Sequence, residues 1–410
     1  MPRDILLALG LALSTATQLR ISGTPLGVAE LLLGTWMFVG LTAHLATGSR
    51  TVNAVTARVL AFWAMIVLGL SVGLISGFAR ELFQDMPAML HDVFAYLLMG
   101  ALGIALSLEL GDARRRRCAF WLFTASGAAL LLVQLATPGG GLWYYNRFRG
   151  WSENPNQLGF SVSVLTFVAL HLAHTAGSVA ERVGALACAG VAILAGILSR
   201  SDSFTVALLT GSAVWVALTG VNWFQTLRSG LMLRGAAVLL ALLSVPLFAA
   251  AFAPFASATL ERIEQTSDRL YNDNDQGDTR LNLWREALQR GVSSGFIGLG
   301  PGPQLTSKSY KRPPPDKFEA HNTFLDLFTQ GGLLAVGAFA WLWLVAFRGA
   351  WRAGFCGIAA LLCALITFSM FHLIVRQPVF WFGVVCCLLE SARVLHSAGS
   401  DRQAFSEATS

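Results

Sequence analysis

Long apolar runs alternate with short polar stretches along most of the chain. An α-helix needs about 17–25 apolar residues to cross the hydrocarbon core of a bilayer. Twelve candidate runs lie at about residues 5–19, 26–46, 58–78, 90–110, 118–137, 157–176, 183–199, 203–221, 234–253, 322–347, 354–375 and 378–396. The pattern predicts an all-α, polytopic membrane protein with about twelve transmembrane helices.

One long polar loop, residues 254–321, separates the ninth run from the tenth. Inside it, TRLNLWREALQR predicts an amphipathic helix whose apolar face is Leu281, Trp284 and Leu288, and which ends at Gly291. The neighbouring GFIGLGPGP and KRPPPDKFEA are expected to be irregular, because glycine and proline disfavour a helix. We expect a partly helical lid packed on the outer membrane face.

The composition agrees with a membrane protein that has one domain. The chain has 410 residues, of which 55% are hydrophobic and 13% are charged, whereas soluble domains carry about 25% charged residues. We assign residues 1–397 to a single transmembrane domain that includes the polar loop. Residues 398–410 form a short polar cytoplasmic tail, which we expect to lack regular structure.

The arginines of the short loops predict the orientation. One side of twelve alternating spans carries most of them: Arg50, Arg58, Arg114 to Arg117, Arg182, Arg228, Arg234, Arg348 and Arg352. This side is predicted to be cytoplasmic and to hold both termini. The long loop then faces the periplasm of a Gram-negative cell. The net charge of +6 mostly reflects this bias, so we expect no nucleic-acid partner.

No motif indicates a metal ion or another cofactor, and we expect neither. All six cysteines lie in apolar runs and are expected to pack as small hydrophobic residues. Asp273-Asn274-Asp275 has the DxD form of metal-dependent sugar-nucleotide enzymes, but it is only three residues long. The glycines of residues 298–302 lie outside a βαβ unit and do not indicate a dinucleotide site.

Three ionisable residues are the main candidates for chemistry. His321 ends the polar loop, where a neutral imidazole can accept a proton from a hydroxyl; the alternative is a histidine that only helps to cap the next helix. Arg200 lies in a short polar turn and either binds an anion or reaches to the interface. Arg280, in the first turn of the loop helix, has an anionic ligand or a salt bridge as its partner.

A second outer segment, YYNRFRGWSENPNQLGF at residues 144–160, joins aromatic residues to polar ones. Arg147 and Arg149 alternate with aromatic residues, and aromatic rings beside polar side chains suit the apolar faces of sugar rings. Asn154 and Asn156 surround a turn at Pro155, and Asn156 is a candidate cap of the following helix. An aromatic belt at the membrane interface explains the tryptophan and the tyrosines, but not the two arginines.

Together, RGWSENPNQLG, LSRS at Arg200, TRLNLWREAL followed by GFIGLGPG, and HNTFLDLFTQGG resemble the O-antigen ligase and Wzy-type polymerase superfamily of bacterial membrane glycosyltransferases. The resemblance covers about residues 140–350. His321 and Gly332 fit the family's pattern of histidine, ten residues and glycine. The family's arginine, three residues and leucine pattern is matched loosely, since Trp284 stands four positions after Arg280.

The resemblance implies a GT-C-like helical fold in the bacterial inner membrane. It also implies metal-independent, inverting transfer of a glycan from undecaprenyl diphosphate to an acceptor hydroxyl. His321 would be the base, and Arg280 and Arg200 the partners of the diphosphate. Arg147, Arg149, Asn154, Asn156 and Asn322 would contact substrate. The implied partners are the lipid-linked donor, an acceptor glycan, the bilayer and other membrane proteins of polysaccharide assembly.

The acceptor stays open at this point. NPNQLG resembles the segment of repeat-unit polymerases more than that of ligases, which join the glycan to lipid A core. A relative that modifies serine or threonine of proteins would carry extra soluble sequence. A twelve-span transporter and a non-catalytic envelope partner are the alternatives from other functional classes.

Overall fold

The computed structural model describes residues 2–21, 26–47, 52–80, 85–137, 139–226, 277–306 and 317–409. The helices of these residues are α1 (Pro2–Ala12), α2 (Val28–Thr47), α3 (Ala54–Arg80), α4 (Met86–Glu109), α5 (Ala113–Ala136), α6 (Pro155–His174), α7 (Val179–Leu198), α8 (Asp202–Thr226), α9 (Gly277–Ser293), α10 (Thr323–Arg352), α11 (Cys356–Ser369) and α12 (Pro378–Thr409). Short 3₁₀ turns occupy Thr17–Leu19 and Gly140–Leu142, and β1 (Trp143–Tyr144) pairs antiparallel with β2 (Arg147–Phe148). The predicted span at 234–253 and about half of the polar loop, residues 254–276 and 307–316, lie outside the described residues.

The predicted all-α, polytopic membrane fold is confirmed. Within the described ranges, eight helices are long and apolar enough to cross a membrane, namely α2 to α8 and α10. Short polar connections join most of them, which gives a multi-pass helical bundle. The total of twelve spans stays a prediction.

The two ends of the chain differ from the sequence-based prediction. The run at 5–19 does not form one spanning helix, because α1 ends at Ala12 and a 3₁₀ turn follows. Gln18 in that turn donates its amide N–H groups to carbonyl oxygens of the 150–152 segment, including Ser152 O at 2.8 Å, and these bonds favour the turn. At the other end, α12 continues through the predicted tail to Thr409.

Helix α6 lies at the centre of the bundle, where it packs against α5, α7, α8 and α11. It is buried along almost its whole length although it contains hydroxyl side chains. Ser163 and Thr166 donate to the carbonyl oxygens of Gly159 and Val162 on their own helix, at 2.9 and 2.7 Å. Their polar atoms are therefore satisfied without a partner helix, and α6 can be enclosed on all sides.

The lid helix α9 packs on α10, but through a different face from the predicted one. Leu283 and Ala287 are fully buried, whereas Leu281 and Leu288 are 62% and 50% exposed. The helix also continues past Gly291 to Ser293. The Phe328 ring explains why this face of α9 is buried. A Cβ at Gly291 would lie 2.2 Å from Cε1 of Phe328, so the glycine leaves room for the ring.

The glycine-rich segment after α9 is irregular, as predicted, and it is bound to a break in α10. Gly332 has φ 64° and ψ −159°, which interrupts the helix. Phe296 O accepts a hydrogen bond from Leu333 N at 2.9 Å, and Gly300 N donates to Gln330 O at 2.9 Å. A Cβ at Gly332 would lie 2.1 Å from Phe296 O, so glycine is required there. The segment thus fixes α9 against the helix that His321 precedes.

Candidate active site

His321 stands at the N-terminal end of α10 in an unusual backbone conformation. Its φ of 53° lies in the left-handed region, which is uncommon for a residue other than glycine. The next residue, Asn322, is the N-cap, and its Oδ1 accepts from Phe324 N at 3.0 Å and from Leu325 N at 3.3 Å. The His321 side chain remains accessible at the surface. The helix is therefore capped by Asn322, and the imidazole is not needed for that purpose.

Asn322 also connects α10 to the segment that follows α11. Its Nδ2 donates to Met370 O at 3.0 Å, and the residue is only 3% exposed. Next to it, Thr323 donates through Oγ1 to His372 O at 2.6 Å. Both polar atoms of the Asn322 side chain are thus hydrogen-bonded within the protein. Its predicted contact with substrate stays a prediction.

The docking of α9 brings Arg280 towards His321. Trp284 donates its indole N–H to Ala320 O at 3.0 Å, directly before His321. Leu283 and Ala287 pack in a small apolar cluster with Ala320 and Leu305, and this cluster holds α9 over the His321 segment. Arg280 is exposed. Arg280 and His321, two of the three residues predicted to carry the chemistry, therefore lie in the same part of the structure.

The charges around His321 favour the neutral imidazole. The pKa of His321 is lowered from its ordinary value, chiefly because the surrounding protein limits hydration of the ring. Glu319 acts in the opposite direction, while the positive charges of Arg280 and Arg376 add to the lowering. A histidine in this state is unprotonated near neutral pH and can accept a proton.

A second histidine, His372, lies within the reach of the same charges. Burial lowers the pKa of His372 to about 3, and the charges of Arg280 and His321 contribute to this lowering. Its Nε2 is 3.1 Å from Ser203 Oγ. Sequence reasoning missed His372, because a lone histidine near the end of an apolar run has no local signal of function.

The contact of His372 with Ser203 connects the Arg200 turn to this site. Arg200 follows the C-terminal end of α7, with φ 48°, and its side chain is exposed. The neighbouring Ser199 and Ser201 are buried, at 0% and 1% exposure. The turn is thus a fixed element of the protein, and it carries Arg200 at the end of the bundle where α10 begins.

An ion-pair network includes Glu319, two residues before His321. Arg376 donates to carboxylate oxygens of both Glu319 and Asp92, through Nη2 and Nη1 respectively. Asp92 is buried at 1% exposure near the start of α4. The network ties the residue two positions before His321 to α4. Sequence reasoning identified none of these pairs.

The two arginines of the β1–β2 hairpin, Arg147 and Arg149, have defined partners in the protein. Arg147 donates from Nε to Ser199 O at 3.1 Å and from Nη2 to Asn156 Oδ1 at 3.0 Å. Arg149 donates to Gly141 O at 3.2 Å and lies over the Tyr144 ring, with Cζ 5.7 Å from its centroid. Arg147 thereby holds the hairpin against the Arg200 turn.

The capping residue of α6 differs from the predicted one. Asn154 is the N-cap, with its Oδ1 accepting from Asn156 N at 2.8 Å, so Asn156 itself does not cap this helix. The reason is the position of Pro155, which is favoured at the first position of a helix and therefore places the cap one residue earlier. The predicted substrate contacts of the hairpin arginines and of both asparagines stay predictions.

A metal centre is not evident in the part of the chain that the structure describes. No group of three or more histidine, cysteine, aspartate or glutamate side chains there is arranged to hold a metal ion. Asp273 and Asp275 lie outside the described residues. The DxD alternative therefore stays open.

The fold and the site define a multi-pass membrane protein with arginines and histidines gathered at one end of a helical bundle. The family model described as O-antigen ligase matches residues 184–342, from α7 into α10. This match confirms the predicted O-antigen ligase and Wzy-type polymerase superfamily. A comparison with curated proteins gives no match. The protein is accordingly a membrane enzyme of the ligase or polymerase kind.

Proposed function

We propose that the protein transfers a glycan from undecaprenyl diphosphate to a hydroxyl of an acceptor sugar. The observation that carries this proposal is the placement of Arg280 beside His321, produced by the docking of α9 on the His321 segment. A guanidinium and a neutral imidazole at one membrane surface suit a reaction that releases a diphosphate and removes a proton. The family match supports a glycosyl-transferring enzyme.

In the proposed reaction, His321 accepts the proton of the acceptor hydroxyl as its oxygen attacks the anomeric carbon. The bond from that carbon to the diphosphate breaks on the opposite face, so the configuration inverts. Arg280 and Arg200 stabilise the negative charge that develops on the leaving diphosphate, since guanidinium groups bind phosphate bidentately. These two arginines take the place of a divalent metal ion in the proposal.

The lowered pKa of His321 supports its role as the base. A general base is most effective when its neutral form predominates at the working pH and its pKa still lies within reach of that pH. Limited hydration of the ring and the charges of Arg280 and Arg376 keep His321 neutral, and Glu319 limits the lowering. Glu319 also stabilises the imidazolium that forms after proton transfer.

We propose that this end of the bundle faces the periplasm, with the protein in the bacterial inner membrane. The basic loops that we assign to the cytoplasm include Arg114 to Arg117, at the start of α5. The hairpin lies at the opposite end of α5, where Gln134 Oε1 accepts from Trp151 N at 2.9 Å. The distribution of arginines thus supports a periplasmic site and cytoplasmic termini.

For the acceptor we favour a second lipid-linked repeat unit, which makes the protein a repeat-unit polymerase. The support is the resemblance of NPNQLG, residues 154–159, to the corresponding segment of polymerases. A ligase that joins the glycan to lipid A core is the second candidate, favoured by the description of the matching family as O-antigen ligase.

A deletion strain tests the proposal and distinguishes the two candidates. The surface glycan and the lipid-linked intermediates would be separated by size in the deletion strain and in a complemented strain. Products with a single repeat unit indicate a lost polymerase, whereas long lipid-linked chains together with bare core indicate a lost ligase. A surface glycan identical to that of the parent strain would contradict both functions.

A further inference from the structure

A buried carboxylate lies directly beneath His321. Asp326 is in the first turn of α10 and is only 2% exposed. Its Oδ1 accepts from Ala320 N at 2.7 Å, and its Oδ2 accepts from Asn322 N at 3.1 Å. The two amides are those on either side of His321. One side chain therefore holds the backbone both before and after the proposed base.

These hydrogen bonds explain how His321 keeps a conformation that residues with a Cβ rarely adopt. A left-handed backbone outside glycine persists only where the surrounding structure determines it from several sides. Asp326 fixes the amides at 320 and 322, and the Asn322 cap fixes the start of α10. This backbone conformation sets the direction in which the His321 side chain leaves the chain.

The role of Asp326 differs from that of an ordinary helix cap. Asn322 already occupies the N-cap position and satisfies two amides of the first turn. Asp326 instead reaches back beyond the cap to Ala320 N. Its hydrogen bonds are thus directed at the turn that contains His321.

We propose that Asp326 is a positioning residue that holds His321 in the orientation needed to accept the proton of the acceptor hydroxyl. The inference rests on the proposed function, because it assumes that His321 is the base. Asp326 does not contact the substrate in this proposal, and it acts only through the His321 backbone.

The test uses the full-length protein and the purified lipid-linked donor. Asp326→Asn has the same shape but offers one acceptor oxygen in place of two, and Asp326→Ala removes both. We expect kcat to fall by about 10²-fold in Asp326→Ala, since small misplacements of a catalytic group have effects of this size. The loss in Asp326→Asn should be smaller, and the KM for the donor should change little in both variants.

A double mutant shows whether Asp326 acts through His321. If it does, His321→Ala with Asp326→Ala should be no slower than His321→Ala alone, because the effects of residues that act as a unit are not additive. Asp112→Ala is the matched control. Asp112 caps α5 at the other end of the bundle by accepting from Arg115 N at 2.8 Å, and its loss should leave kcat unchanged.

A second measurement does not depend on transfer activity. Hydrogen–deuterium exchange of a peptide spanning residues 318–324 should be faster in Asp326→Asn than in the wild type, because Ala320 N and Asn322 N then have one acceptor oxygen in place of two. Unchanged exchange, unchanged kcat, or fully additive losses in the double mutant would each overturn the positioning role. If the wild-type protein transfers no glycan, the proposed function is overturned. The hydrogen bonds from Asp326 would still be supported if exchange differed between the wild type and Asp326→Asn.

Discussion

The two ends of the helical bundle use arginine in different ways. At the end where α5 begins, Arg115 pairs with Asp4 and Glu109, and Arg116 pairs with Glu390. At the end where α10 begins, Arg147 and Arg149 donate to backbone carbonyls, and the charge of Arg280 acts on two histidines. Carboxylates thus pair with several of the cations at the first end. At the second end, much of the positive charge faces neutral groups.

This difference separates arginines that hold the fold from arginines that can attract an anion. Arg116 is fully buried and donates to Glu390 at 2.7 Å, as a structural ion pair does. Arg280 is exposed on a lid helix beside His321. Even at the second end, Arg376 is paired with Glu319 and Asp92, and we regard it as part of the framework. The comparison predicts that substitutions at the two ends affect different properties.

Loss of the base should have the largest effect. His321→Ala should lower the transfer rate by about 10²–10⁴-fold, the range for removal of a general base. His174→Ala is the matched control, because His174 is exposed at the other end of α6 and should not affect the rate. Both variants would be compared in purified transfer assays at equal protein level. A fully active His321→Ala would exclude the base assignment.

A conservative change at Arg280 tests the diphosphate contact. Arg280→Lys keeps the charge but loses the two-pronged geometry, so we expect about a 10- to 100-fold loss of kcat/KM. Arg117→Lys, at the paired end, should retain the wild-type rate, since Arg117 contacts the half-exposed Glu181 at 2.9 Å. A near-wild-type rate for Arg280→Lys would instead favour a salt bridge as the role of Arg280.

The pH dependence of transfer should report the charges around His321. Because the pKa of His321 is lowered, activity should rise with pH through a value below about 6.5 and then level off. Glu319 raises this pKa, so Glu319→Gln should move the acid limb of kcat/KM to lower pH. A shift to higher pH would show that Glu319 does not act on the base in this way.

Removal of divalent metal ions should have the smallest effect. We expect transfer to persist in EDTA, because Arg280 and Arg200 are proposed to hold the leaving diphosphate. Activity that is lost in EDTA and restored by Mg²⁺ or Mn²⁺ would contradict the metal-independent mechanism. That result would direct attention to Asp273 and Asp275.

The sequence by itself determined the class of fold and the main catalytic candidates. Long apolar runs report membrane helices directly, since each span satisfies its own backbone hydrogen bonds and must be apolar over a fixed length. The amphipathic period located α9, and with it Arg280. The order of the motifs around Arg200, Arg280 and His321 indicated the superfamily, which the match at residues 184–342 confirms.

Only the tertiary structure decided which face of α9 is buried and which polar residues meet. Gly291 faces α10 because the Phe328 ring occupies the space that a side chain there would need, and helical periodicity alone does not contain that shape. His372 and Ser203 are 169 residues apart in sequence, and Arg376 and Asp92 are 284 apart. Such contacts arise from the packing of distant helices, so no local pattern of residues announces them.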